Sequence, residues 1–201
     1  MFAFLEGTLI EKHPTVAVVA VDGIGYELLI PLSTYSKLPE VNQTVKVLTH
    51  LHVREDAWQL FGFWTVEEKE LFKLLITISG IGPKLGLTIL SGIGVTNFKQ
   101  AVINKDNTTL TAVSGIGKKT AERIIVELKE KIKLDEETLG RLSPATAFST
   151  EDALTEDSLT ALISLGYKRH EAQAAVKKVI AKEGSDNLSV EKLIRKALTF
   201  M

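Results

Sequence analysis

The chain has 201 residues, 45% of them apolar, enough to build cores for one large domain or two to three small ones, which excludes a wholly disordered chain. It contains no cysteine, so disulfides, thiolate zinc sites and cysteine nucleophiles are excluded and the fold must hold by packing. The formal net charge of -1 hides a segregated distribution: residues 1–63 carry four Lys and Arg against seven Asp and Glu, residues 79–123 six against two, and residues 142–201 eight against eight.

Met1–Glu6 has no basic leader region and is interrupted by Glu6, while the longest apolar run, Val16–Val21, is far short of a membrane span. The expectation is a soluble, cytoplasmic protein without membrane contact. Residues 2–12, 15–22 and 25–31 are rich in Val, Ile, Leu, Phe and Tyr and are cut by the turn signals His13-Pro14 and Asp22-Gly23, which predicts a three-strand meander. A polar loop with Ser33, Ser36 and Pro39 follows. Thr44–Arg54 then alternates, with Val45, Val47, Thr49, Leu51 and Val53 on one face and Lys46, Leu48, His50 and His52 on the other. Ala57–Trp64 makes a fifth strand. Five short antiparallel strands suit a small closed barrel of the OB type, in which closure removes exposed edges.

Strands four and five are joined at Arg54-Glu55-Asp56, and on residue type alone the two carboxylates are a solvated turn tip. His50 and His52 could share a strand face, but with no third ligand nearby no metal site is expected.

Thr65 with Glu68 forms a capping box, and the helical pattern through Leu71, Phe72, Leu75 and Ile76 puts a domain boundary near Thr65. This helix stops at Ser79-Gly80-Ile81-Gly82, and Pro83 is well placed to open the next one, which Gly92 and Gly94 end. A third helix is expected from Thr96 and a fourth from Asp106 or Asn107. Ser114-Gly115-Ile116-Gly117 then repeats the first motif 35 residues later. It leads into an amphipathic helix from Lys118 to about Lys133, with Ala121, Ile124, Ile125 and Leu128 facing inward.

A Gly-x-Gly turn between two helices permits positive φ and lets backbone N–H groups approach an anion, while the following helix adds its positive N-terminal end. Both copies carry a buried-type Ile between the glycines and lysine afterwards: Lys84 in the first, Lys118 and Lys119 in the second. Two such units predict a grip on duplex phosphates that positions the protein without reading bases. Gly117-Lys118-Lys119-Thr120 is not a nucleotide-binding P-loop, because that motif needs glycine where Ala112 stands and Ser or Thr where Lys119 stands. Asp135 is spaced like a glycosylase aspartate but sits in an acidic run without the Gly/Pro-rich segment of that pattern.

Residues 135–153, with Asp135-Glu136-Glu137 and clusters of Ser, Thr and Pro, read as a flexible tether. Helical periodicity returns over Glu156–Leu165, Arg169–Ala181 and Val190–Phe200. Leu159, Leu162, Ile163, Ala172, Val176, Val179, Leu193, Ile194 and Leu198 are the expected core of this three-helix unit.

Barrel, tandem hairpins, acidic linker and three-helix tail, in this order, resemble the RuvA family, the Holliday-junction-binding subunits of the bacterial branch-migration complex. The resemblance covers the whole chain. It is most specific at Arg54–Ala57 with Leu60–Phe63, at Ser79–Lys84, at Ser114–Arg123 and at Leu165-Gly166-Tyr167. It implies an α+β multidomain architecture: an OB-fold barrel over 1–64, an all-α tandem helix-hairpin-helix domain over 65–134, a flexible linker over 135–153 and a three-helix, UBA-like domain over 154–201. It further implies DNA contacts at Gly80, Gly82, Lys84, Gly115, Gly117, Lys118, Lys119 and Arg123, an acidic pin at Glu55 and Asp56, and a partner contact at Leu165, Gly166 and Tyr167. The implied assembly is a homotetramer, with an octamer on DNA as the alternative, holding a four-way junction open. The implied partners are the hexameric RuvB ATPase and, in second place, the RuvC resolvase. No catalytic residue, metal or cofactor is expected in this chain, ATP and Mg belonging to the motor. The competing readings are a helix-hairpin-helix repair enzyme, nuclease or glycosylase, and a general duplex-binding scaffold.

Overall fold

The computed structural model describes residues 2–141, 150–183 and 189–200. Strands β1 (Phe4–His13), β2 (Val16–Val21), β3 (Ile24–Leu29), β4 (Thr44–Val53) and β5 (Trp58–Phe63) close into a barrel in the order β1-β2-β3-β5-β4. The strands do not all pair antiparallel as expected: β3 and β5 run parallel, with Leu29 opposite Phe61. A ring with an odd number of strands cannot alternate direction all the way round, so one neighbouring pair must be parallel. At the β2–β3 turn Asp22 and Gly23 have φ of 49° and 83°, the double positive φ of a type I′ hairpin, whose twist matches that of its strands.

Alternation fills the barrel with Leu5, Leu9, Ala17, Val19, Leu28, Val45 and Val47. On β4 the inward face is buried through Thr49, but Val53 is 56% exposed because the strand outruns the barrel toward the Glu55–Asp56 tip.

The segment read as a polar loop contains a four-residue helix, α1 (Leu32–Tyr35), which carries the fully buried Thr34. Helix α2 (Val66–Ile76) begins with the expected capping box, the Glu68 N–H donating to Thr65 Oγ1 at 3.2 Å. Glu68 does more than cap. Its Oε2 accepts from the Thr34 hydroxyl at 2.9 Å and from the Trp64 N–H at 3.0 Å, and the same N–H reaches Thr34 Oγ1 at 2.9 Å. This buried knot ties α1, the end of β5 and the start of α2 together, and leaving its donors unpaired would cost about 1–3 kcal/mol each.

Helices α3 (Pro83–Gly92), α4 (Val95–Ile103), α5 (Asn107–Thr111) and α6 (Lys118–Arg141) complete the middle of the chain. Their core, with Phe72, Ile89, Phe98, Leu110, Ile124 and Leu128, also takes in Phe61 and Phe63 from the outer wall of the barrel. The Phe72 ring lies 4.9 Å from both, and truncating it to alanine would cost about 3–5 kcal/mol. Residues 1–138 accordingly form one compact unit, across the boundary drawn at Thr65, and residues 139–201 a second.

The helix expected to end near Lys133 continues to Arg141, so the first part of the segment read as tether is helical. Acidic composition signalled a linker, yet glutamate is a good helix former and no Pro or Gly intervenes before Gly140. Helix α7 (Thr150–Ser164) also begins inside that segment, and 142–149 lie outside the described residues. With α8 (Arg169–Glu183) and α9 (Val190–Ala197) it buries Leu159, Leu162, Ala172, Val176, Val179 and Leu193 as expected. Two expected core residues are on the surface. Ile163 is 40% exposed, just off a narrow apolar stripe, and Leu198 is 37% exposed because a 3₁₀ turn over Leu198–Phe200 changes the helical period there. Residues 184–188, between α8 and α9, lie outside the described residues.

Candidate nucleic-acid interface

Helix α2 ends at Ile76 and α5 at Thr111, and each is followed by the same construction. The Ile81 N–H donates to the Ile78 carbonyl at 3.0 Å, and the Ile116 N–H to the Val113 carbonyl at 3.1 Å. Each bond closes a four-residue turn whose third position is glycine, with φ of 91° at Gly80 and 92° at Gly115, the conformation that favours glycine there. Ile81 and Ile116 are 3% and 5% exposed and anchor the turns in the core. Gly82 and Gly117 then open α3 and α6, accepting from the N–H groups of Gly86 at 3.0 Å and Ala121 at 2.9 Å.

The isoleucine N–H groups are therefore consumed within the turns. The donors left for an anion include those at each helix start, which have no intrahelical acceptor: Gly82, Lys84 and Leu85 at α3, Pro83 having none, and Gly117, Lys118, Lys119 and Thr120 at α6. Lys84, Lys118 and Lys119 are exposed, and among the described residues none is ion-paired.

The two turns touch crosswise. Arg123 of α6 reaches back 44 residues to donate from Nη1 to the Ser79 carbonyl at 2.5 Å, lying over Gly80. Leu85 of α3 approaches the second turn, its Cδ1 3.0 Å from where a Cβ on Gly115 would stand. Arg123, expected as a phosphate ligand, thus also straps the first hairpin to the second. Leu85 was missed; superposing the two motifs puts it opposite Thr120, a difference in type that signals unequal duty. Short α5 is held by Asp106, whose carboxylate accepts from the N–H groups of Thr108 and Thr109 and from the Thr109 hydroxyl. The Thr109 hydroxyl and amide hydrogen bonds hold the Asp106 carboxyl below the usual carboxylate range.

Ser91-Gly92-Ile93-Gly94 has the same four residues but, as its reading as a helix end implied, is not a hairpin. Ser91 and Gly92 are still helical, the Ile93 N–H bonds the Ile89 carbonyl at 3.0 Å, and φ turns positive only at Gly94, at 74°.

Glu55 and Asp56 are exposed at the β4–β5 tip, where the Arg54 N–H donates to the Ala57 carbonyl at 2.9 Å and Val53 pairs with Trp58 at the last rung. His50 and His52 lie against the edges of Phe72 and Phe61. Burial, then the charges of His52, Lys73 and Lys69, lower the His50 pKa and favour its neutral form. Among the described residues no group of three His, Cys, Asp or Glu could hold a metal, and no helix is long and apolar enough to cross a membrane.

In the tail unit, α7 ends in a Schellman arrangement: the Gly166 N–H bonds the Ile163 carbonyl at 2.9 Å and the Tyr167 N–H the Leu162 carbonyl at 3.2 Å. Gly166 takes the positive φ of 97°, and Leu165 and Tyr167 are displayed on either side, 62% and 37% exposed.

Three family models match the chain in order: "RuvA N terminal domain" over residues 1–62, "SAM-like Helix-hairpin-helix tandem" over 72–130 and "RuvA, C-terminal domain" over 153–201. Curated relatives named "Holliday junction branch migration complex subunit RuvA" match along their whole length. One from Chlorobaculum parvum is 45% identical over 202 residues, 100% of this chain and 98% of its own. One from Shewanella sp. strain MR-7 is 46% identical over 211 residues, all of both chains. One from Methylibium petroleiphilum is 47% identical over 199 residues, 98% of this chain and 99% of its own. With the barrel, the paired hairpins and the helical tail in the same order, the chain belongs to the RuvA family.

Proposed function

We propose that the protein binds four-way DNA junctions, holds them open as a homotetramer, and recruits a RuvB-type ATPase ring that drives branch migration in the cytoplasm. The observation that carries this reading is the cross-strapped pair of hairpins, two helix N-termini held at a fixed separation by Arg123 and Leu85. Such a pair suits a duplex, one turn on each strand. Gly80, Gly82, Gly115 and Gly117 let the backbone come close, and Lys84, Lys118 and Lys119 add charge to phosphate contacts that read no bases. Arg123, with one nitrogen on Ser79, keeps further donors for the same backbone. The relatives' name, a branch migration complex subunit, supports the junction as the substrate.

Junction preference then comes from the tip. Glu55 and Asp56 repel phosphates, which disfavours continuous duplex in front of the barrel and favours separated strands at a crossover. Leu165 and Tyr167, displayed around Gly166, are the motor contact, and RuvC-type resolvases are a further partner. The chain does no chemistry itself and needs no cofactor.

A band-shift comparison of a four-way junction with linear duplex under excess competitor tests the reading. Retention of the junction complex is expected; equal affinity would overturn it. Cleavage of the junction with Mg²⁺ that disappears on substituting Glu55 and Asp56 would instead identify a nuclease. Replacing Lys118 and Lys119 by alanine should weaken binding to all sequences alike and flatten the salt dependence by about two units of slope. Removing residues 154–201 should leave junction binding intact and abolish RuvB-dependent branch migration.

A further inference from the structure

The barrel mouth beside the acidic tip has an aromatic groove that none of the roles above uses. It encloses about 370 Å³ and is lined by Phe2, Tyr26, Leu51, Trp58 and Leu60, with Glu27 at its edge. Phe2 and Tyr26 pack edge to face, with ring centroids 6.1 Å apart. Trp58 is 78% exposed on the last rung before Glu55 and Asp56, paired with the half-uncovered Val53. An indole this bare, next to other exposed aromatic surface, is suited to receive a planar partner.

The surrounding charge selects that partner. Glu55, Asp56 and Glu27 repel a phosphate backbone. A nucleobase carries no charge, has a π-face for the indole, and has N–H groups that the Glu27 carboxylate can accept. Arg54, next to the tip, is available to the phosphate that trails the base. The loop between strands four and five is also one of the surfaces on which OB-type barrels bind oligonucleotides. We propose that this groove is a stacking site for an unpaired nucleobase at the junction crossover, with Trp58 as its platform. The inference rests on the junction reading above.

The test uses the full-length protein and a four-way junction with one permanently unpaired base at the crossover. Trp58→Ala should lower affinity for this junction about ten-fold, with linear duplex binding unchanged and the loss independent of salt; Trp58→Phe should recover most of it. In a Trp64→Phe background, which leaves Trp58 as the single tryptophan, emission should be quenched on adding the junction. Unchanged junction affinity in Trp58→Ala, while the unsubstituted protein still prefers junction over duplex, overturns the proposal alone. A lower assembly mass for Trp58→Ala in native mass spectrometry also overturns it, making a second copy the occupant. Failure of the junction reading itself shows differently, as loss of junction preference in the unsubstituted protein.

Discussion

Ser-Gly-Ile-Gly at 79–82 and at 114–117 folds into a turn between helices, whereas the same residues at 91–94 finish one helix and start the next. The difference lies in where the preceding helix stops. Before both hairpins it has already ended, with the tighter bonds Ile78 N–H to the Leu75 carbonyl and Val113 N–H to the Leu110 carbonyl, so the first glycine falls at the bend. At Ser91 the helix is still running. The Ser91 hydroxyl donates to the Leu87 carbonyl at 2.7 Å and accepts from the Leu32 N–H at 3.0 Å, which pins this stretch to the barrel side. The tetrapeptide permits the hairpin, and packing of the helix before it decides whether the hairpin forms.

Alanine at each first glycine breaks or sharpens this contrast. Gly115→Ala should be the most damaging, about 2 kcal/mol in urea denaturation, because the positive φ is strained and the new Cβ stands 3.0 Å from Leu85. Gly80→Ala should lose somewhat less, about 1–2 kcal/mol, since its Cβ meets only Arg123 Nη1 at 3.6 Å. Arg123→Ala comes next, at about 1 kcal/mol for the lost strap to Ser79; Lys84→Ala, at the surface, should stay within about 0.5 kcal/mol.

The hairpins also differ in acid. The folded-state pKa of Asp106 is lowered, so its contribution is present above the ordinary carboxylate pKa and disappears as pH falls through the folded value. Asp106→Asn should therefore flatten the acid limb of a stability-versus-pH curve and loosen the second hairpin before the first, as read by hydrogen exchange. Gly92→Ala should be the one glycine substitution of the three that does not destabilise. Its Cβ would meet Val113 at an ordinary 3.6 Å inside a helix, so stability should hold or rise by up to about 1 kcal/mol.

Much of this was legible along the chain. The strands announce themselves by alternation between turn signals, and Thr65–Glu68 by the spacing of a capping box, because both are local patterns. The hairpins were legible because glycine has few substitutes at a positive φ. Helix α1 was not: four residues with Ser and Thr carry no period, and its importance lies in Thr34 meeting Glu68 from 34 residues away. The Arg123–Ser79 strap is hidden for the same reason. Helix α6 ran past its expected end because composition and helix propensity disagreed over Asp135–Glu137, and propensity prevailed.

The Glu68 knot has a consequence for exchange between homologues. A barrel transplanted onto these hairpins at Thr65 would fold beside a carboxylate waiting for a hydroxyl at position 34 and for the backbone N–H of residue 64. A donor barrel without that hydroxyl would leave Glu68 buried and short of a partner. A chimera joined at this seam should therefore keep its stability only when a hydroxyl at position 34 travels with the barrel.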